Sequence, residues 1–422
     1  NLEQTNMDKL HAVFPQCFAE GKLDIDKLLS LCGEYIDNDS EKYRFEWKGK
    51  SECLRLAQKR STGTLRPCSE ESVNWDTTQN LYIEGDNLEV LKLLQTSYYR
   101  KVKMIYIDPP YNTGNDFVYE DDFADPMARY KEVTQQTTKS NPETMGRFHT
   151  NWLNMMYPRL RLAANLLRDD GVIFISIDEN EVANLRKVCD EVFGEENFVG
   201  CGVWKRRTSS AMDQSKVSTD HEYVLIYHRG QFEPFKGLEK DYKGYSNPDN
   251  DPRGPWVAGD LTVGMNADMR PNQFYDLVDP KTGKVYHPNY NRVWSYAPDS
   301  MQQLIEEDRI VFPEDTTQRP MKKRFANELK SNTNPFSTWM SEIGLNTEGT
   351  RAVYTLFDDK SLFNYAKPIS LVKSIIEQVT SNNDIILDFF SGSATTAHAV
   401  MQLNAEDGGN RQFIMVQLPE LC

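Results

Sequence analysis

Residues 102–114 read Val-Lys-Met-Ile-Tyr-Ile-Asp-Pro-Pro-Tyr-Asn-Thr-Gly, and they restrict the fold more tightly than any other stretch. Met104, Ile105, Tyr106 and Ile107 form a short apolar run, the pattern of a strand buried on both faces of a parallel sheet. Pro109 and Pro110 lack a backbone N–H and hold φ near one value, so the chain must leave the sheet in a rigid, extended turn. That turn presents the Asp108 carboxylate, several carbonyl acceptors and the Tyr111 ring just beyond a strand's carboxyl end. Open α/β sheets bind their ligands at that edge.

The flanking pattern supplies the rest of such a sheet. Leu81-Tyr82-Ile83 predicts a short strand, and Glu84-Gly85-Asp86 turns it into a helix with Leu88, Leu91 and Leu94 on one face. Asp86 reads either as that helix's N-cap or as a second carboxylate at the sheet edge. Trp152, Met155, Leu162 and Leu166 predict a helix over 151–168, stopped by Asp169-Asp170-Gly171. A strand over 172–177 and a helix through Leu185, Val188 and Val192 follow. Two β-prone runs, 198–204 and 222–227, predict a hairpin at the sheet edge. Residues 231–359 break the alternation, being rich in Pro, Gly, Asn and Asp with scattered aromatics. It resumes with a helix after Lys367-Pro368, a strand over 384–387, a tight turn over 388–393, a helix from Thr395, and a strand over 413–416 that ends at Leu418-Pro419-Glu420. The expected fold class is α/β, a doubly wound, mostly parallel sheet of Rossmann-like type. Its expected parts are an accessory segment (1–79), two halves of one sheet domain (80–230 and 360–422) and an inserted domain (231–359).

Charge and cysteine usage narrow the partners. A net charge of −15 argues against a general nucleic-acid coat but leaves a locally basic groove open. Lys205, Arg206 and Arg207, and the cluster Arg319, Lys322, Lys323 and Arg324, read either as solvated faces or as phosphate contacts. The seven cysteines form no C-x-x-C pair and the six histidines do not cluster with them, so no metal site or disulfide framework is expected. No apolar run is long enough to span a bilayer and the start does not resemble a leader, which points to a cytoplasmic protein. The phosphate-cradling pattern G-x-x-x-x-G-K-[ST] is absent, so ATP hydrolysis is not expected of this chain. A start on Asn1 reads as either trimmed or not the gene's own start, which leaves the completeness of the other end open. Residues 115–149 are polar and without periodicity, and are read as a flap near the substrate rather than as an ordinary surface insertion.

A strand, a Gly-containing turn, a helix and a second strand ending in an acid form a nucleotide-binding half. Here the turn, Phe390-Ser391-Gly392-Ser393-Ala394, departs from the glycine-rich dinucleotide fingerprint, and Gly392 lies further from Glu420 than the ~20 residues usual for that motif. Paired with Asp108-Pro109-Pro110-Tyr111 it becomes specific. The chain resembles the amino-methyltransferases of the β group, and more closely the modification (Mod) subunits of type III restriction-modification systems. The resemblance runs through Asn80-Leu81-Tyr82-Ile83-Glu84-Gly85-Asp86-Asn87-Leu88, Asp108-Pro109-Pro110-Tyr111-Asn112-Thr113-Gly114, Asp116-Phe117-Val118-Tyr119, Tyr157-Pro158-Arg159-Leu160, Phe174-Ile175-Ser176-Ile177-Asp178, Asn346-Thr347-Glu348-Gly349-Thr350 and the carboxyl-terminal half.

The resemblance implies S-adenosylmethionine as cofactor and the N6 amine of a flipped adenine in double-stranded DNA as target. Asp108 and the Pro109 carbonyl would accept the amine's hydrogen bonds, Pro110 would complete the turn and Tyr111 would stack on the base. Asp388, Phe390, Gly392, Ser393 and Thr396 would surround the cofactor, with Glu420 on its ribose, Lys367 near its methionine end and Asp86 near its adenine. It further implies a homodimer, an ATP-dependent restriction subunit as partner, and target recognition by the insert, with the two basic clusters near phosphates. Ala394 stands where the family usually has a second glycine, and these subunits normally continue beyond Glu420. Cytosine N4 transfer, protein amide methylation and a DNA-specificity module without catalysis are the competing readings. The amide methylases begin their turn with Asn, and the intact Asp108, Tyr111, Gly392 and Glu420 argue against lost catalysis. Pro67-Cys68 resembles the nucleophilic pair of cytosine-C5 methyltransferases, but with no strand before it Cys68 reads as an ordinary thiol.

Overall fold

The computed structural model describes residues 2–14, 17–19, 22, 23, 25, 28, 45–113, 142–208, 217–359, 362, 363 and 365–418. The chain forms two compact units, Asn1–Lys236 with Phe336–Cys422, and Gly237–Pro335.

The first unit is built on eight strands: β1 (Leu81–Glu84), β2 (Val102–Ile107), β3 (Leu167–Ile177), β4 (Phe198–Lys205), β5 (His221–His228), β6 (Trp339–Met340), β7 (Ile385–Asp388) and β8 (Gln412–Gln417). Their spatial order is β6-β4-β5-β3-β2-β7-β8-β1. All neighbours are parallel except β5, which runs antiparallel to both β3 and β4. Every residue of β2 is buried: the apolar run Met104–Ile107 faces the two cores, and Lys103 is buried in ion pairs with Asp170 and Glu233. The pleat distributes them to two cores. Ile105 and Ile107 face helices α1 (Lys50–Gln58), α2 (Asn87–Tyr98), α3 (Pro142–Leu166) and α4 (Val182–Phe193), whereas Met104 and Tyr106 face α6 (Ile369–Val379) and α7 (Thr395–Asp407). Between α4 and α6 lies α5 (Asn346–Phe357). The spacing of Leu371, Val372, Ile375 and Ile376 puts all four on one face of α6, where each is wholly buried. Complete burial of such a side chain contributes ~1.5–3 kcal/mol.

Connectivity places the crevice. From β2 the chain turns through α3 to β3 on one side; from β7 it turns through α7 to β8 on the other. The winding reverses between β2 and β7, which pair with Ile386 opposite Met104 and Leu387 opposite Ile105. A doubly wound sheet leaves an opening at such a point, outside the strands' carboxyl ends.

Three local features differ from the sequence reading or extend it. The β4–β5 hairpin is not the sheet edge, because Trp339 and Met340 pair with Val203 and Trp204. Two residues embedded in a polar loop carry no strand periodicity. Strand β3 begins at Leu167, inside the predicted helix, since Arg168 binds Asp170 and Asp384 across the strand ends. The segment before β1 is tied down at a proline. Pro158 lies within the continuous helix α3 and supplies no N–H to the Asn154 carbonyl. Cys53 Sγ lies 3.6 Å from that carbonyl, and the Asn154 side chain accepts the Trp47 indole N–H at 2.8 Å.

The second unit, Gly237–Pro335, is narrower than the compositional break at 231–359, because residues 336–359 include β6 and α5 of the first. Its main sheet joins Ile310–Val311, Met321–Phe325 and Trp256–Asp260 in antiparallel order over a core of Leu261, Leu277, Tyr286, Trp294, Met301 and Ile310. Among the described residues, no helix is long and apolar enough to cross a membrane.

Candidate active site

Two turns flank the crevice. The first, after β2, is held at both ends. The Trp152 indole donates to the Pro110 carbonyl at 2.7 Å. Asn112 takes a left-handed backbone (φ 61°), which Asn tolerates, and its amide donates to Glu181. Glu181 is wholly buried and also receives His149 Nδ1 at 2.6 Å and the Asn184 amide at 2.8 Å.

The second turn follows β7. Asp388 accepts from the Thr396 hydroxyl at 2.6 Å and from the Phe390 N–H at 3.0 Å, folding the turn back on the start of α7. Gly392 is left-handed (φ 50°), and its N–H donates to Gln417 at 2.8 Å. A Cβ added there would come within 3.0 Å of the Phe363 ring. Phe390 is buried against Phe389, and Ser393 bonds Thr395. A relay from α3 clamps this turn. Buried Arg159 donates to Asn87 at 2.5 Å, and Asn87 donates to the Phe389 carbonyl at 2.7 Å.

Between the turns lies a compact charge cluster. Lys367 Nζ is 3.0 Å from Asp108 Oδ2 and 3.3 Å from Glu222 Oε2. The Tyr111 hydroxyl lies 2.9 Å from Asp108 Oδ1 and 3.0 Å from Glu222 Oε2, and Arg206 holds Glu222 Oε1 at 3.2 Å. Lys367 Nζ also stands 4.8 Å from the centre of the Tyr111 ring. Two acids and two bases balance, the condition under which buried charges are tolerated. Burial pushes the Asp108 carboxyl up, and the Glu222 charge adds to this, against the pull of Lys367 and Tyr111. Burial alone would lower the Lys367 ammonium, but the two carboxylates outweigh it and raise it.

Beside the cluster is a cavity of about 330 Å³, mostly apolar, lined by Gly392, Ser393 and Thr395 from the second turn, Lys367, Phe363, and Val353 and Phe357 of α5. Gly349 brings α5 against the segment leading into α6 so closely that a Cβ would lie 1.9 Å from the Ala366 carbonyl oxygen. Ser391 Oγ is buried with no hydrogen-bond partner among the described residues.

The structure thus brings together Asp108, Pro109, Pro110, Tyr111, Lys367, Asp388, Gly392, Ser393 and Thr396. Of the residues expected around the cofactor, Lys367, Gly392 and Ser393 line this cavity, whereas Asp388, Phe390 and Thr396 bond one another behind the turn, and Asp86 caps α2 through the Glu89 N–H at 3.0 Å and pairs with Arg159 at 3.2 Å. Glu420, Gly114 and most of the 115–149 flap lie outside the described residues. The basic clusters are divided. Arg206 turns onto Glu222, and Arg207 engages Asp220, Ser218 and the Thr219 carbonyl, while Lys205 ends β4. In the strand Met321–Phe325 the two-residue repeat sends Lys323 inward, so it leaves the phosphate-contact set. Its ammonium is held by Asp249 at 2.6 Å and by Asp251 and Asp308 at 3.1 Å each. Lys322 donates to the Tyr296 hydroxyl, and Arg324 and Arg319 are exposed, the latter on a polar cavity of about 320 Å³ with Arg292 and His287.

Glu222 went unread in the sequence. Its signal was an acid two residues before Val224, on the face that Val224 and Ile226 bury, where an unpaired charge would be untenable.

Comparison with known proteins agrees with this arrangement. The family model described as DNA methylase, N6 and N4 type, matches residues 102–418. The chain is 36% identical over 431 residues to the type III restriction-modification enzyme StyLTI Mod subunit of Salmonella typhimurium, covering 96% of this chain and 63% of that one. It is 33% identical to the EcoP15I Mod subunit of Escherichia coli, covering 97% and 70%, and 30% identical to the type II methyltransferase M.KpnI of Klebsiella pneumoniae, covering 81% of each. The chain therefore spans a little under two thirds of the first of these relatives. With a family match across three quarters of its length and both turns of the site inside it, the chain belongs to the N6/N4 DNA methylase family.

Proposed function

We propose that this chain transfers a methyl group from S-adenosylmethionine to the N6 amine of adenine in double-stranded DNA, as the modification subunit of a type III restriction-modification system. One observation carries the reading: Lys367 lines the cavity of the second turn while its ammonium grips the Asp108 carboxylate of the first, 3.0 Å away. Donor cavity and amine acceptor thus adjoin at the switch point of the sheet.

The cavity fits the cofactor. It has the size and apolar walls of a small-molecule site and, in Gly392, a glycine where the backbone must come close. Gly392, Ser393, Thr395, Phe363 and Lys367 would hold it, with Glu420 assigned to the ribose by resemblance. S-adenosylmethionine, when bound, supplies an electrophilic methyl group on its sulfonium.

An aromatic amine is a poor nucleophile because its lone pair is delocalised into the ring. Hydrogen bonds from N6 to Asp108 and to the Pro109 carbonyl favour a pyramidal nitrogen, concentrating the lone pair on one side. The Asp108 carboxylate then stabilises the positive charge that develops on nitrogen. The two prolines and the Trp152 clamp keep these acceptors in place before the base arrives, so little reorganisation is needed. Flipping the base costs a few kcal/mol. Stacking on Tyr111, worth ~1–3 kcal/mol, offsets much of it. The second unit reads the target sequence, the active form is a homodimer working in the cytoplasm, and cleavage belongs to a separate ATP-dependent restriction subunit.

The test is to incubate the protein with labelled S-adenosylmethionine and genomic DNA and to map the modified bases. N6-methyladenine at one recurring sequence is the expected result. Methyl groups on cytosine N4 would reassign the base, and no incorporation would overturn the proposal.

A further inference from the structure

The Tyr111 hydroxyl has one proton and two carboxylate oxygens at almost equal distance, Asp108 Oδ1 at 2.9 Å and Glu222 Oε2 at 3.0 Å. A phenolic hydrogen swings about its C–O bond without moving a heavy atom, so the proton can serve either acceptor. The other Asp108 oxygen is already taken by Lys367 at 3.0 Å. While Tyr111 donates to Asp108, both oxygens of the carboxylate are engaged, and its power to accept from an incoming amine is reduced. Glu222 is built to take the hydroxyl over. It is buried, fixed in strand β5, and held from its far side by Arg206 at 3.2 Å, with Lys367 at 3.3 Å on the oxygen that faces Tyr111.

We propose that Glu222 is a positioning residue that draws the Tyr111 hydroxyl off Asp108 when the substrate amine arrives, returning Asp108 Oδ1 to the amine. The proposal rests on the reading of Asp108 as the amine acceptor and deepens it. No covalent bond is made or broken in the hand-off; one O–H···O hydrogen bond replaces another. Without Glu222, the displaced hydroxyl would be left buried with no acceptor, and the amine would have to compete with it. With Glu222, Tyr111 stays oriented for stacking while Asp108 is released.

The signature is coupling between Glu222 and one oxygen atom of Tyr111. Glu222→Gln offers a single amide oxygen to three donors (Tyr111, Lys367 and Arg206). In the otherwise unaltered protein it should lower kcat for methyl transfer about 10- to 100-fold, with KM for DNA changed less than about threefold. In the Tyr111→Phe background, which has no hydroxyl to relocate, the same change should cost less than about threefold. An equal loss in both backgrounds would mean that Glu222 serves only the charge balance, and would overturn the proposal. The bridge can also be read without turnover, by carbon-13 NMR of tyrosine labelled at Cζ. The Tyr111 resonance, assigned by its absence in Tyr111→Phe, should shift on Glu222→Gln, and an unmoved resonance would equally refute the hand-off. A chain that transfers no methyl group would overturn the proposed function, and the NMR arm would still judge the bridge. Should Glu222→Gln fail to fold, Glu222→Asp keeps the charge but shortens the reach by one methylene, and the same comparisons apply.

Discussion

At the scale of single residues, the site rests on a few side chains whose surroundings set their chemistry. Asp108→Ala removes the amine acceptor and leaves the cavity walls intact. It should retain S-adenosylmethionine binding by calorimetry and lose about 10²–10³-fold in kcat, the usual cost of deleting a preorganised electrostatic partner. Ala394 sits at φ 59° at the start of α7, where a Cβ costs about 1–2 kcal/mol. Ala394→Gly relieves this at an entropic cost of roughly 0.5–1 kcal/mol, so the denaturation midpoint should rise modestly. Asp388 gives a pH dependence. Burial lifts its carboxyl to about 7, the Asp108 charge adding to the lift and the Thr396 and Phe390 hydrogen bonds opposing it. The folded protein then keeps a proton that the unfolded chain releases near 3.8. The resulting stabilisation is complete below that value and is lost as pH rises through about 7, at up to roughly 1.4 kcal/mol per pH unit. Urea unfolding across this window should show that slope in the parent protein and its absence in Asp388→Asn.

At the scale of elements, the strand Met321–Phe325 shows how a local repeat can overrule composition. Four basic residues within 319–324 read as one patch, yet the pleat divides them, and Lys323 becomes the buried counter-ion of Asp249, Asp251 and Asp308. Asp249 and Asp308 are exposed, and Asp251 and Asp308 keep Arg253 and Lys281 as partners, so losing the buried ammonium costs less than the roughly 3–5 kcal/mol of a fully buried pair. Lys323→Met should still unfold at lower urea concentration. Helix α3 behaves similarly, in that Pro158 looks like a flaw in the sequence and serves as the point where Trp47 and Cys53 attach residues 45–58.

At the scale of the whole molecule, the proposed function sets a net charge of −15 against a polyanionic substrate. Binding then depends on local groups of exposed cations rather than on the overall charge. Arg319 and Arg324 are exposed. Each phosphate contact contributes ~0.9 to the salt slope, so neutralising both should flatten the plot of log affinity against log salt by about 2. Lys323→Met should leave that slope unaltered, and an unchanged slope in the double arginine variant would remove these residues from the DNA interface.

Read alone, the chain already determined the alternating α/β sheet, the two turns at its carboxyl edge and the residue types they carry. Those features are local: an apolar run ended by two prolines, a glycine at a left-handed turn, helices with one buried face. Tertiary structure alone decided that Glu222 and Arg206 join Lys367, Asp108 and Tyr111, that Trp339 and Met340 close the sheet, and that Lys323 points inward. Such contacts join residues far apart in sequence, and which charges end up facing one another depends on how strands and helices pack. No periodicity within a single segment encodes that.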